Sequence, residues 1–453
     1  MAGTHAPERN ISVSIRPHGR ECGHHSGEPS FTDMARIIQL VHRYPPARGG
    51  AESHARSLAG VLAGRGHEIV VHTTTGTSHD SFVNPRAPHL PQGMGMDGAI
   101  SVCRHPVWVL PGQRNLLRAI NLLPIPGSIA PWLFPWGPVC PSLSSAETGK
   151  PPAVVHAMGF PHGSIIAAGA KIARRHGARL AITPFWHPGA AGNAGLSHRR
   201  GFDHPSLVAL ARRADILIVQ SRFEQSHYAD LGIEPEKIVM APPGIDPETV
   251  SGGNRKRGRS EWGLPDDAVV IGHLAPLCQG KGAVALVETV SAMAPLGVHG
   301  ILAGPVLPDA RKAVGLAGAN IRILPPLDDR QRRDFFASID IFCLPSVLDS
   351  FGLVLLEAWS NGVPCVAASV AGPGELVGRA GGLLVKEPSA VELRQALGIL
   401  AADASLRQRL GEEGQAIVHR EYLANDRYQA LAKILEGLAH VRATEPTGSP
   451  GTS

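Results

Sequence analysis

The stretch PSVLDSFGLVLLEAW, residues 345–359, decides how this chain is read. It has a turn followed by a helix that is apolar on nearly every side, the pattern of a buried helix. Glu357 stands inside it. A buried carboxylate without partners costs roughly several kcal/mol, so Glu357 needs hydroxyls, amides or an arginine to accept from. Helical side chains lean back towards the N-terminus, which aims Glu357 at the turn holding Asp349, Ser350, Phe351 and Gly352. Ser350 is the expected N-cap. The free N–H groups of Phe351, Gly352 and Leu353 then form an anion-seeking helix N-terminus, and Gly352 admits a ligand close to the backbone.

Outward from this stretch the chain alternates β-rich runs with amphipathic segments. The first half offers RIIQLVH, HEIVVHTT, ISVCRHPVWVL, AVVHAMGF, ARLAITPF, DILIVQS and KIVMAPP. The second offers AVVIGHLA, HGILAGPV, IRILPPL, DIFCLPS, PCVAASV and GLLV. Such alternation builds doubly wound parallel sheets, because parallel strands need crossover helices. The expected fold class is therefore α/β: two Rossmann-like domains facing across a cleft, with ligands at the carboxyl ends of the strands. The expected organisation is a disordered tail over 1–33, a first domain over 34–247 and a flexible linker over 248–260. A second domain follows over 261–420, then a helix over 421–440 returning to the first domain and a tail over 441–453. MARIIQLVHRY reads as the natural start of the folded chain at Met34. Arg255, Lys256 and Arg257 read as a solvated hinge.

The 453 residues suffice for two cores, and 43% hydrophobic with 18% charged residues is a globular balance. Six scattered cysteines without a C-x-x-C pair speak against a disulfide framework or a zinc site and for a reducing compartment. A net charge of +5 suits an anionic substrate or an acidic membrane face. Basic residues do not interleave with aromatics, so nucleic acid is not an expected partner. No G-x-G-x-x-G opens either half, against a dehydrogenase. The segment INLLPIPGSIAPWLFPWGPVC (120–140) carries too many prolines for a spanning helix. It is either a loop packed on the core or a surface for a membrane or lipid-linked acceptor.

PSVLDSFGLVLLEAWSNGVPCVAA resembles the signature of retaining glycosyltransferases of family four, which have the two-domain GT-B fold. Their pattern is E-x7-E followed by E-A-x-x-x-G-x-P; here it is D-x7-E, with Asp349 first and Glu357 second. YPPARGGAESHARSLAGVLAGRGHEIVVHT and SRFEQSHYADLGIEPEKIVMAPPGID are similar to other parts of that family, and the resemblance covers most of 34–435. It implies transfer of a hexosyl group, with retention, from a nucleotide-diphosphate sugar (UDP-, GDP- or ADP-linked) to a hydroxyl of a glycan or lipid-linked acceptor. Glu357 would accept from the ribose hydroxyls and Asp349 would contact the transferred sugar. Lys281 would neutralise the departing diphosphate, and Gly49 and Gly50 would let the first-domain loop approach the phosphates. His187, in TPFWHPG, is the candidate near the sugar, with His156 facing the same cleft. The LPPLDD loop around Pro326 and Leu327 would meet the base. No cofactor and no metal are expected.

Two departures stand out. Where the family has arginine after the first strand of the second domain, this chain has His273, and Asp349 is one methylene shorter than glutamate. A histidine is only partly charged near neutral pH, so the diphosphate would be held more weakly. These departures motivate a rival reading, a catalytically silent nucleotide-sugar binder or partner subunit of a transferase. The resemblance also implies a cytoplasmic protein of cell-surface polysaccharide or glycolipid synthesis, with a peripheral contact at the inner face of the membrane.

Overall fold

A computed structural model describes residues 34–444 apart from 124, 136, 147, 148 and 190–200. The expected tail over 1–33, and residues 445–453 of the other, lie outside the described residues. The first sheet holds β1 (Arg36–Val41), β2 (Glu68–Thr74), β3 (Gly93–Asp97), β4 (Ile100–His105), β5 (Val154–Met158), β6 (Arg179–Thr183), β7 (Ile216–Val219) and β8 (Ile238–Met240). Its spatial order is β3-β4-β2-β1-β5-β6-β7-β8. Only the β3–β4 pairing is antiparallel. The second sheet holds β9 (Val269–Leu274), β10 (Val298–Ala303), β11 (Ile321–Leu324), β12 (Ile341–Leu344), β13 (Cys365–Ala368) and β14 (Gly382–Val385). It is parallel throughout, in the order β11-β10-β9-β12-β13-β14. This is the doubly wound pair of sheets that the sequence predicts.

The strands are apolar on both faces because helices cover both faces. Along β1, Ile37 and Val41 face one core cluster while Ile38 and Leu40 face another. In β12, Ile341 and Cys343 face one side and Phe342 and Leu344 the other. Winding reverses between β1 and β5 in the first lobe and between β9 and β12 in the second. Those reversals open a crevice at the carboxyl ends of the strands, and both crevices face the same inter-lobe gap.

The expected flexible linker is not one. Residues 248–260 carry the end of the helix Pro247–Val250 and most of the helix Arg255–Glu261. Arg257 makes two 2.7 Å bonds to Asp334, and Arg255 pairs with Asp340 at 2.8 Å. Arg259 is buried, donating to Asp340 and to the carbonyls of Pro265, Asp266, Ala268 and Ser338. The basic run is thus a clamp on the helix Asp329–Ser338 rather than a solvated hinge. At the far end, the helix Ala424–Thr444 lies against Gly50–Gly64 of the first lobe: Tyr428, Leu431 and Leu435 share a core with Ala55, Leu58 and Leu62. Glu436 there accepts from Arg65 at 2.6 and 2.7 Å.

Candidate active site

A cavity of about 480 Å³ lies between the lobes. The first lobe contributes the loop after β1 (His42, Arg43, Gly49, Gly50), the turn after β5 (Gly159 to His162) and the loop after β6 (Phe185, His187). The second contributes Leu348 to Leu353. Two helices, Gly50–Gly64 and Leu353–Ser360, point their N-termini at this space. Their ends nearly meet: a Cβ on Gly50 would stand 3.7 Å from Leu353 Cδ1. Free backbone N–H groups from both lobes therefore face one cavity, an arrangement suited to an anion.

Packing dictates where Lys281 sits. A Cβ on Gly280 would lie 2.1 Å from Leu348 Cδ1, and one on Gly282 2.4 Å from the Pro345 carbonyl oxygen. Gly280 leaves room for the Leu348 side chain, and Gly282, which meets the Pro345 backbone and holds φ at 75° in the left-handed region, lets this turn dock on residues 345–348. Lys281 then reaches Asp349 Oδ1 at 2.6 Å and the Leu348 carbonyl at 3.1 Å. Asp349 Oδ2 has no hydrogen-bond partner among the described residues. Burial pushes the Asp349 carboxyl up, but Lys281, with smaller contributions from Ser346 and His187, more than offsets this and holds it below the ordinary carboxylate value.

The structure brings Gly49, Gly50, His187, Asp349, Ser350, Phe351, Gly352 and Leu353 together around the cavity, with Lys281 beside Asp349. Four expectations need correction. Ser350 is not the N-cap; Gly352 is, in the left-handed region at φ 89°, while the Ser350 hydroxyl donates to Gln220 across the lobes at 3.2 Å. Glu357, 7% exposed, is held by Arg332, whose Nε donates to Oε2 at 2.7 Å and whose Nη2 donates to Oε1. That arginine comes from the neighbouring helix Asp329–Ser338 and satisfies the carboxylate without a ligand. His273 is no cation: it is fully buried within β9, with Nδ1 on the Cys343 carbonyl of the neighbouring β12 at 2.9 Å, and burial lowers its pKa to about 4. His156 is likewise buried, bonded to Thr183 at 2.7 Å, and does not line the cavity.

Other residues come to the site without a sequence signal having named them. Gln220 and Arg114 line the cavity, as does Phe185, which adopts φ 55°. Glu52 folds back beneath the N-terminus of its own helix, where a carboxylate is favoured, and forms an ion pair with Arg43 at 2.7 Å. A Cβ on Gly49 would stand 2.2 Å from Glu52 Oε2, so this glycine makes room for a carboxylate. The expectation of no metal rested on sequence spacing and on the family resemblance. In space, His42, His79 and His162 offer ligand atoms within 4.8 Å of one another. Following β1, β2 and β5 to their ends would have found all three.

Two facing parallel sheets, with a cleft at both points of reversal, define a GT-B protein. The family described as "Glycosyl transferase 4-like domain" matches residues 49–244, and "Glycosyl transferases group 1" matches 265–403. The chain belongs to the family-four glycosyltransferases. It is 31% identical over 215 residues to D-inositol 3-phosphate glycosyltransferase of Stackebrandtia nassauensis, covering 44% of this chain and 48% of that protein. The enzyme of the same name from Corynebacterium glutamicum is 32% identical over 223 residues, 45% of this chain and 53% of the other. The chain spans about half the length of these curated relatives. Among solved structures, sucrose-phosphate synthase of Thermosynechococcus elongatus superimposes with a TM-score of 0.71 at 18% identity, covering 90% of this chain and all 100% of that one. HepE of Anabaena, solved with UDP-glucose, gives 0.65 at 19% identity over 89% and 100% of the two chains.

Proposed function

We propose that the chain transfers a hexosyl group, with retention, from a nucleoside-diphosphate sugar to an acceptor hydroxyl. The observation that carries this reading is the convergence of two helix N-termini, one from each lobe, on a cavity lined by Asp349, with Lys281 paired to that carboxylate from behind the lining. Cleavage of the sugar–phosphate bond develops negative charge on the diphosphate, where N–H dipoles and an ammonium group lower the barrier without reorganising. The diphosphate would compete with Asp349 for Lys281 and free that carboxylate to accept from sugar hydroxyls. Glu357 does not line the cavity, and ribose hydroxyls would reach it only by displacing Arg332. Retention follows from attack on the face the diphosphate leaves, the departing oxygen taking the acceptor proton. No prosthetic group enters these steps. The HepE complex with UDP-glucose supports this class of donor by fold likeness.

The lobes are held together by Ser350 to Gln220, by Arg48 to the Leu327 carbonyl, and by Glu375, which accepts from the Arg222 and Phe223 amides at 2.8 and 3.3 Å. Such closure excludes water from the donor. The acceptor would arrive from the first lobe. Its helix Gln113–Ile120 buries Leu117 and leaves Leu116, Arg114 and Arg118 outward, beside exposed Trp108, Leu110, Leu122 and Leu123. Apolar groups with cations and no acid suit an anionic membrane surface, and Arg114 links that face to the cavity. None of the helices among the described residues is long and apolar enough to cross a membrane. A glycolipid or surface-polysaccharide acceptor at the inner leaflet fits this geometry.

The test is a thermal-shift panel of UDP-, GDP- and ADP-sugars followed by donor turnover. Stabilisation by one nucleotide class, abolished in Lys281→Ala, is the expected result; no shift with any of them refutes the reading. The neutral His273 favours the rival, a donor-binding protein without turnover, which calorimetric binding with no product under any acceptor would establish.

A further inference from the structure

We infer that His42, His79 and His162 form a binding site for one divalent transition-metal ion of the zinc class on the first-lobe wall of the cavity. The three side chains come from the carboxyl ends of β1, β2 and β5, strands adjacent in the sheet, and all three line the cavity. Their ring centroids lie 4.0 Å (His42–His162), 5.5 Å (His42–His79) and 5.6 Å (His79–His162) apart. One ligand atom from each falls within 4.8 Å of the others.

His42 supplies the argument that this cluster is more than aromatic packing. It is 5% exposed, and its Nδ1 has no hydrogen-bond partner among the described residues. Its Nε2 faces Glu52 Oε1 at 3.5 Å, and Glu52 is itself oriented by Arg43. At 3.5 Å this approach is not yet a hydrogen bond; the ring turn that loading requires would bring the far nitrogen onto the carboxylate, keep the proton there and leave the other lone pair for a metal, the usual support of a ligating histidine. An imidazole nitrogen left unpartnered in a buried site costs about 1–3 kcal/mol, and a metal would remove that cost. The rings now stack, so loading requires each to turn about χ2, a broad torsion. Bonds of roughly 2.0–2.1 Å then need the ligand atoms to close by about 1 Å. Three nitrogen ligands leave the fourth position of a tetrahedral ion open; that position faces the cavity and would take an acceptor oxygen, a hydroxyl or an anionic substituent. Among the described residues a second group, His72, Cys103 and His105, is a weaker candidate, since His72 Nδ1 and His105 Nε2 already bond each other at 3.0 Å.

Metal uptake is measured without donor or acceptor, so its failure and the failure of the transferase reading are separable. The full chain, stripped with a chelator, is titrated with Zn²⁺ by calorimetry and with Co²⁺ by visible absorption. The expected result is one equivalent bound with the intense d–d bands of a tetrahedral ion. His79→Ala, the most exposed ligand and the least able to disturb folding, should weaken binding by roughly 100-fold or more, and Glu52→Gln by about 10–100-fold. Cys103→Ala should bind as the wild type does. The inference is overturned if the wild-type chain takes up no stoichiometric metal, or if binding survives in His79→Ala. It is equally overturned if binding is lost in Cys103→Ala or in a chain with Cys22, His24 and His25 replaced.

Discussion

Replacing Lys281 with methionine separates the stability of the site from its chemistry. In the wild type Lys281 Nζ lies 2.6 Å from Asp349 Oδ1, and Asp349 Oδ2 has no partner among the described residues. Removing one partner of a buried pair costs about 3–5 kcal/mol. The two side chains are 18% and 23% exposed, so water softens the loss and about 2–3 kcal/mol is expected near neutral pH. The sign with pH follows from the Asp349 carboxyl, which burial pushes up and Lys281 holds below its ordinary value. In the wild type it stabilises the fold above the unfolded carboxylate pKa, and that contribution is lost as pH falls through the depressed value. Without the lysine, burial acts alone and the folded-state pKa rises above the unfolded one. The deficit of Lys281→Met should therefore shrink as pH falls from about 7.5 to about 4.5 in urea unfolding. Adding Asp349→Asn should restore most of the lost stability, since an amide needs no counterion. Transfer should stay down by about 10²–10³ in both variants, because the diphosphate has lost its cation. A Lys281→Met chain within about 0.5 kcal/mol of wild type, or a deficit that does not change with pH, refutes the reasoning.

Arg332→Ala should cost about 3 kcal/mol by stranding Glu357, and Arg332→Ala with Glu357→Gln should recover much of it, read by chemical unfolding. Burial lowers His54 and His273 to about 4 and His156 to about 3. The unfolded chain takes up protons at these sites first, so stability is full above about pH 6.5 and falls below it by up to about 3–5 kcal/mol per histidine. Stability that stays level between about pH 6.5 and 5 contradicts that assignment. Leu122→Glu with Leu123→Glu removes the apolar prominence beside Arg118. It should abolish sedimentation with vesicles rich in anionic lipid while leaving the unfolding temperature unchanged.

Much of the fold is legible in the chain because its strands are buried on both faces. Runs such as RIIQLVH and DIFCLPS are dominated by β-branched and other apolar residues, so thirteen of the described strands announce themselves. The one that does not is β3, GMGMD, which is largely exposed and pairs only with β4 at the sheet edge. There is no burial there to select its residues. The helix Arg255–Glu261 fails for the opposite reason. GGNRKRGRS has the composition of a linker, and its order comes from Asp334 and Asp340, about 80 residues further on, which composition cannot see.

The site divides along the same line. The positions of Asp349, Phe351, Gly352 and Leu353 at the cavity could be anticipated because they follow from a local event, a helix N-terminus opening beneath a glycine. Glu357 raised the right question, but its structural alternative proved physically real. The helix on which Glu357 sits is apolar all round, yet Arg332 reaches over it from the neighbouring helix and answers its charge. Reading one helix at a time cannot find that partner. His273 fails through depth: it lies within strand β9, and an imidazole fully enclosed by the sheet stays neutral whatever charge the family pattern places there. His42 and His162 were missed although each follows a strand that flanks the reversal of the first sheet. The topology, once inferred, names the loops after β1 and β5 as ligand-facing, and chemistry-bearing residues in those loops deserve the weight given to the signature helix. A doubly wound fold predicted from alternation thus points to loops at strand ends that residue spacing does not single out.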